Sequence, residues 1–205
     1  MSLRTLVTVA LMAIAVLAAW AWSRYTTPPT PAPPPAASGA APEAASRVVV
    51  ENGGDPGIEW QVPARWGRET GHPVRLATYV VPAVAADRDS ARCAVFYFGP
   101  GQGGDARTNI ERWISELETP GTPQRTSRTI DGLAVSIVRA RGTYLAHSGM
   151  GEDVPAQEHY ELYGAIVDGP LGPVFFKFTG PEKTVDAAAS DFDRMLGTLR
   201  KKPAP

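Results

Sequence analysis

The chain has 205 residues, and its 20 lysines and arginines against 21 aspartates and glutamates leave a formal net charge of −1. That balance argues against a protein built to hold nucleic acid, which needs a basic excess. The single cysteine, Cys93, excludes an internal disulfide and a structural zinc site made of several thiolates. With 43% hydrophobic residues the chain is too apolar to be disordered throughout.

Residues 5–22 carry no charge and no proline, and lie between Arg4 and Arg24. As a helix they would span ~27 Å, close to the ~30 Å hydrocarbon core of a bilayer. Two main readings follow for residues 1–25. One is an uncleaved signal anchor, with Trp20, Trp22 and Tyr25 at the interfacial level. The other is a secretory signal peptide, cleaved near the small residues Ala19 and Ala21. Both put the rest of the chain outside the cytoplasm, either anchored in the inner membrane and facing the periplasm or released into it. Residues 26–46 hold seven prolines and a single charge, Glu43. They read as an extended spacer reaching at most ~65 Å.

A globular domain is expected over residues 47–202, with a short tail at 203–205. Glu43 is the one acidic residue outside it, and Arg4 and Arg24 the two basic ones, so it is near neutral. Apolar or alternating runs bounded by turn residues predict strands at 58–62, 74–81, 94–98, 125–130, 134–140, 160–167 and 174–179. Asp131-Gly132 reads as a hairpin turn. Residues 142–157, with Gly149, Gly151 and Pro155, read as a longer loop.

Two segments have helical periodicity. Asp105 is a natural N-cap for the first, in which Ile110, Trp113, Ile114 and Leu117 share one face and which Pro120-Gly121 would stop. The second starts near Pro181, and Val185, Ala188, Phe192, Met195 and Leu199 form its stripe. The expectation is a single α+β domain. A mostly antiparallel sheet of about six or seven strands is flanked by two main helices, after an N-terminal apolar helix and a Pro-rich linker.

Between a strand and a helix stands Gly99-Pro100-Gly101-Gln102-Gly103-Gly104. It fits G-x-G-x-x-G in form. However, no βαβ alternation surrounds it, and Asp105 puts negative charge where a phosphate would sit. No Lys-Ser or Lys-Thr follows Gly104, so it is not a P-loop. The plain reading is a strand-to-helix connection with positive backbone torsions. Gly101, Gln102, Gly103, Gly104 and Asn109 are the candidate loop for a ligand or partner. Cys93 has no neighbouring base and reads as an inert thiol. His147, Glu152, Asp153, Glu158 and His159 match no zinc or calcium spacing and read as a solvated loop. Trp60, Trp66 and Trp113 read as core. No catalytic residue, metal ligand or cofactor site is assigned.

Several segments together carry a resemblance. They are Trp60-x-x-Pro63-x-x-Trp66, Arg75-Leu76-Ala77-Thr78-Tyr79, Ala94-Val95-Phe96-Tyr97-Phe98-Gly99, Asn109-Ile110-Glu111-Arg112-Trp113, Gly142-Thr143-Tyr144 and Phe178-Thr179-Gly180-Pro181. Over roughly residues 58–199 the chain resembles uncharacterised exported bacterial proteins with a PsbP-like fold, an antiparallel sheet flanked by helices. The resemblance implies a domain that binds proteins or assists assembly, and it assigns no site residue. The expectation is therefore a membrane-tethered or exported non-catalytic domain that serves protein binding or assembly in the cell envelope. The alternative is a small-ligand binder or enzyme with a pocket near residues 99–104, where Asn109, Arg112 and His147 would be the polar groups.

Overall fold

Alternation of side chains across a pleated strand explains most of the domain. The structure is a computed structural model that describes residues 54–145 and 155–203, all within the unit Ala44–Pro205. Its first strands are β1 (Ile58–Glu59), β2 (Gly67–Glu69), β3 (Ala77–Val81) and β4 (Ala91–Tyr97). Helix α1 (Ala106–Ile114) follows, then β5 (Leu117–Glu118), β6 (Gln124–Ile130), β7 (Leu133–Tyr144), β8 (Gln157–Gly169) and β9 (Gly172–Pro181). Helix α2 (Glu182–Gly197) and β10 (Arg200–Lys201) complete it.

The main sheet has eight strands. Six run in the order β2-β3-β4-β9-β8-β7, and β5 and β6 share the outer edge of β7. All its pairings are antiparallel. β1 and β10 form a separate short ladder. Asp131 and Gly132 turn β6 into β7 with φ of 50° and 70°, the geometry a two-residue hairpin loop requires.

Successive phenylalanines in β9 show how the two faces are served. Phe176 and Phe178 point into one core with Tyr163 and Ala165, closed by Val185, Phe192, Met195 and Leu196 of α2. Phe175 points the other way, into a core with Leu162, Ile166 and Val138, closed by Ile110, Trp113 and Ile114 of α1. The two helical stripes thus cover opposite faces. Trp60, Trp66 and Trp113 are all core residues, as their setting in apolar segments predicts.

The structure corrects several expected boundaries. The first strand ends at Glu59 rather than at residue 62. The expected 142–157 loop is narrower, because β7 continues to Tyr144 and β8 already begins at Gln157. The first helix ends at Ile114, and Leu117 leaves its helical register to pair with Tyr144 in β5. β2, β5 and β10 were not foreseen. Two or three residues are too few for a period to show, and their partners are distant in sequence. The strand count accordingly exceeds the expected six or seven. Residues 1–25 and 26–46, with the expected apolar helix and linker, lie outside the described residues, as do His147, Glu152 and Asp153. No helix among the described residues is long and apolar enough to cross a membrane.

Candidate functional site

The glycine loop is held from within. Gly99, Gly101, Gly103 and Gly104 all have positive φ, between 67° and 101°. A Cβ on Gly103 would lie 2.7 Å from Phe175 Cε2, so the loop closes tightly on the sheet. Asn109 is buried, and its amide donates to Gly103 O at 2.7 Å and to Asp105 O at 2.9 Å. Its side-chain oxygen accepts from Arg112 Nη2 at 2.8 Å. Asp105 caps α1, accepting from Thr108 N at 2.9 Å. That bond first, and then one from the Thr108 hydroxyl at 2.8 Å, hold the Asp105 carboxyl below the ordinary carboxylate range. Gly101, Gln102 and Gly104 are exposed. Asn109 therefore ties the loop to Arg112.

The other candidates are scattered. Cys93 is fully buried, and burial pushes its thiol up. His72 contacts Glu69 at 3.0 Å on the far side of the sheet order from α1. Glu158 and His159 are exposed near the start of β8.

A different constellation appears on the face that α1 shares. Helix α1 packs over β7 and β8. On the opposite side, Arg75 of the β2–β3 connection reaches down to Thr78 of β3, with Nη1 donating to Oγ1 at 3.4 Å. Between these two walls lie β4 and β9. Their residues on this face are Ala94, Phe96, Phe175 and Lys177, with Ala94 opposite Lys177 and Phe96 opposite Phe175, and Phe98 follows directly after β4. Phe98 is 44% exposed, although it touches the rings of Phe96 and Phe175.

Lys177 is the polar centre of this floor. It pairs with Glu116, from the turn after α1, and lies over the Tyr144 ring at 5.8 Å. Tyr144 donates its hydroxyl to Glu116 Oε2 at 3.1 Å and stacks on Tyr160 at 5.4 Å. Burial lowers the Lys177 pKa, and Arg112 and Arg75 lower it further against the pull of Glu116. Burial beside Glu116 pushes the Tyr144 phenol up. The Arg75 guanidinium lies over Phe96 at 5.8 Å. The site is thus an aromatic floor carrying three cations and one carboxylate.

Arg112 and Asn109 were singled out from the sequence and belong to this site or its support. Arg75, Glu116, Tyr144 and Lys177 were not. The one trace they leave is Lys177 itself, a charge inside the apolar run Val174-Phe175-Phe176-Lys177-Phe178.

On the opposite face, a second polar cluster is structural. Glu161 is fully buried and meets both Arg139 and Arg141, which also reach Asp186 of α2. Every charge there has a partner, and the cluster fastens the N-terminal half of α2 to β7 and β8.

No family model matches this chain, and no curated protein matches it. Among solved structures it is similar to the cyanobacterial PsbP (CyanoP) of Synechocystis sp. PCC 6803, with 14% identity over 82% of this chain and 99% of that one and a TM-score of 0.49. It is similar to LpqN of Mycobacterium tuberculosis, a protein involved in cell envelope biogenesis, with 13% identity, coverage of 76% and 90%, and a TM-score of 0.48. A third is a Pseudomonas aeruginosa protein of unknown function, at 14% identity, 69% and 100% coverage, and a TM-score of 0.45. The PsbP-like resemblance read from the residues is among those the comparisons return.

Proposed function

We propose that the chain is an exported, non-catalytic binding domain of the cell envelope, which engages a protein partner through the floor between α1 and the β2–β3 connection. The observation that carries this reading is the half-covered sheet face itself. Elsewhere the faces of the central strands are closed by the helices and by Trp60 and Trp66, whereas here Phe98 stands exposed beside half-buried Phe96 and Lys177. Exposed aromatic surface rimmed by polar groups is characteristic of interaction sites. The apolar segment 5–22 and the proline-rich stretch 26–46 support the address: they would hold the domain at the extracytoplasmic surface on a spacer.

The test is crosslinking in cells with the full chain, carrying a photo-reactive side chain at position 98. A second version carries it at Ala187, exposed on α2. One protein captured from position 98 and not from 187 supports the reading. Capture of the same set from both positions, or of nothing from 98, overturns it. The address has its own test. An anchored chain stays at full mass in the membrane pellet after carbonate washing, whereas a cleaved one is released as a shorter species.

A further inference from the structure

We infer that this floor recognises a carboxylate-bearing segment of its protein partner, with Arg75 and Arg112 as the two recognition groups. The inference rests on the binding reading above and names the chemistry of what is bound.

Two arginines without a carboxylate partner, placed beside the floor, carry it; among the described residues Arg88, Arg107 and Arg200 also lack one, but none of them is among the floor's residues. Arg92 meets Glu69, Arg125 meets Glu111, Arg128 meets Asp193, and Arg139 and Arg141 meet Glu161. Arg75 and Arg112 meet only neutral acceptors, the Thr78 hydroxyl and the Asn109 amide oxygen. Among the described residues neither has a carboxylate in ion-pair range. Both nevertheless lie near enough to repel the Lys177 charge, which Glu116 already answers. Two guanidiniums are left uncompensated beside an aromatic floor.

Each guanidinium is held in place. Arg75 is braced by Phe96 and Thr78, and Arg112 by Asn109, which the glycine loop fixes in turn. A planar fork held in one orientation loses less freedom on binding a carboxylate, and it can make two parallel bonds to it. The neighbouring low-dielectric floor strengthens the attraction relative to open water. Phe98, exposed alongside, gives an apolar side chain of the same segment a surface to cover.

The observations favour an acidic protein segment over a lipid surface. Anionic membranes are read by clusters of about four to eight basic residues. Here there are three cations, and Glu116 neutralises one. The exposed patch also combines ring faces with charge, which suits a peptide carrying an apolar residue between acids.

The test uses the full chain in detergent and a fluorescein-labelled Glu-Glu-Phe-Glu-Glu peptide, read by anisotropy. The comparison peptide replaces each glutamate by glutamine. The acidic peptide should bind, more weakly as salt rises, and the glutamine peptide should not. Arg75→Gln and Arg112→Gln should each weaken binding about tenfold, the loss of one charged hydrogen-bonded contact. Circular dichroism should be unchanged, because both side chains lie at the surface. Equal binding of the two peptides, or unchanged binding by both variants, overturns the inference. So does displacement of the peptide by phosphatidylglycerol micelles at lower concentration than by free glutamate peptide, which assigns the floor to lipid. If position 98 captures a partner that both variants retain, the binding reading stands and this one falls. If the peptide binds as described while no partner is captured, carboxylate recognition stands and the envelope-partner reading falls.

Discussion

Trp113 occupies the space above Gly164 where any other residue would carry its Cβ. A methyl group there would lie 2.5 Å from Trp113 Cζ3 and 3.3 Å from Val138 Cγ1. Gly164 pairs with Val138 on one side and Lys177 on the other, so the indole of α1 is set between β7 and β9. This contact fixes the helix over β7 and β8 and leaves the neighbouring floor open. Gly164→Ala should therefore destabilise the domain by ~1–3 kcal/mol, the usual cost of overpacking a closed core. Urea unfolding measures it, and the same change made in a Trp113→Leu background should cost much less.

Glu161 gives a prediction that depends on pH. Burial raises its carboxyl pKa, and Arg139 and Arg141 pull it back. Replacing both arginines by methionine removes that opposition and leaves a buried, unpaired carboxylate. The cost should be ~3–5 kcal/mol at neutral pH. A carboxyl whose folded pKa is raised favours the fold while protonated and loses that contribution as pH rises through the folded value. The variant should accordingly recover stability relative to the parent as pH falls from 8 to 5 (about the window such a group spans). Denaturation midpoints at the two pH values check it, and a pH-independent loss would contradict it.

Asp105 runs the other way. Its carboxyl is held low by Thr108 N–H and the Thr108 hydroxyl. Its contribution is present above the unfolded carboxyl value and fades as pH falls through the lower folded one. Asp105→Asn should keep most of the cap and flatten the acid limb of the stability profile, whereas Asp105→Ala should lower the melting temperature at neutral pH as well. A thermal melt series from neutral to acid pH distinguishes the three proteins.

Cys93 should resist alkylation in the folded protein. It is fully buried in the core that α2 covers, and burial pushes its thiol up, so the thiolate is absent at neutral pH. Iodoacetamide labelling followed by mass measurement should show no modification without denaturant and complete modification in it. Labelling of the native chain would show that this core opens.

Local features were legible in the residues. The i, i+3, i+4 stripe of Ile110, Trp113 and Ile114 gave α1, and Asp105 its start. Asp131-Gly132 gave the β6–β7 turn, and Val185, Ala188, Phe192 and Met195 gave α2, although Leu199, the last member of that stripe, falls beyond the helix end at Gly197. Each rests on the period of a helix or the torsions of a turn, which neighbouring residues set among themselves. The glycine loop was conspicuous too, but its glycines serve a close approach to Phe175 and a brace for Asn109.

The site itself was decided by the tertiary structure. Arg75 precedes β3, Arg112 lies on α1, Tyr144 ends β7 and Lys177 is in β9. Nothing in their spacing brings them together. Their meeting follows from β9 inserting between β4 and β8, and from Trp113 seating α1 on Gly164 rather than further across the sheet. The sequence by itself determined the two helices, the longer strands and which of their side chains alternate to a buried face, but not the short strands β2, β5 and β10. Which strand lies beside which, and which part of a face stays uncovered, was settled by packing between distant segments, because that choice minimises exposed apolar area for the whole chain rather than for any local stretch.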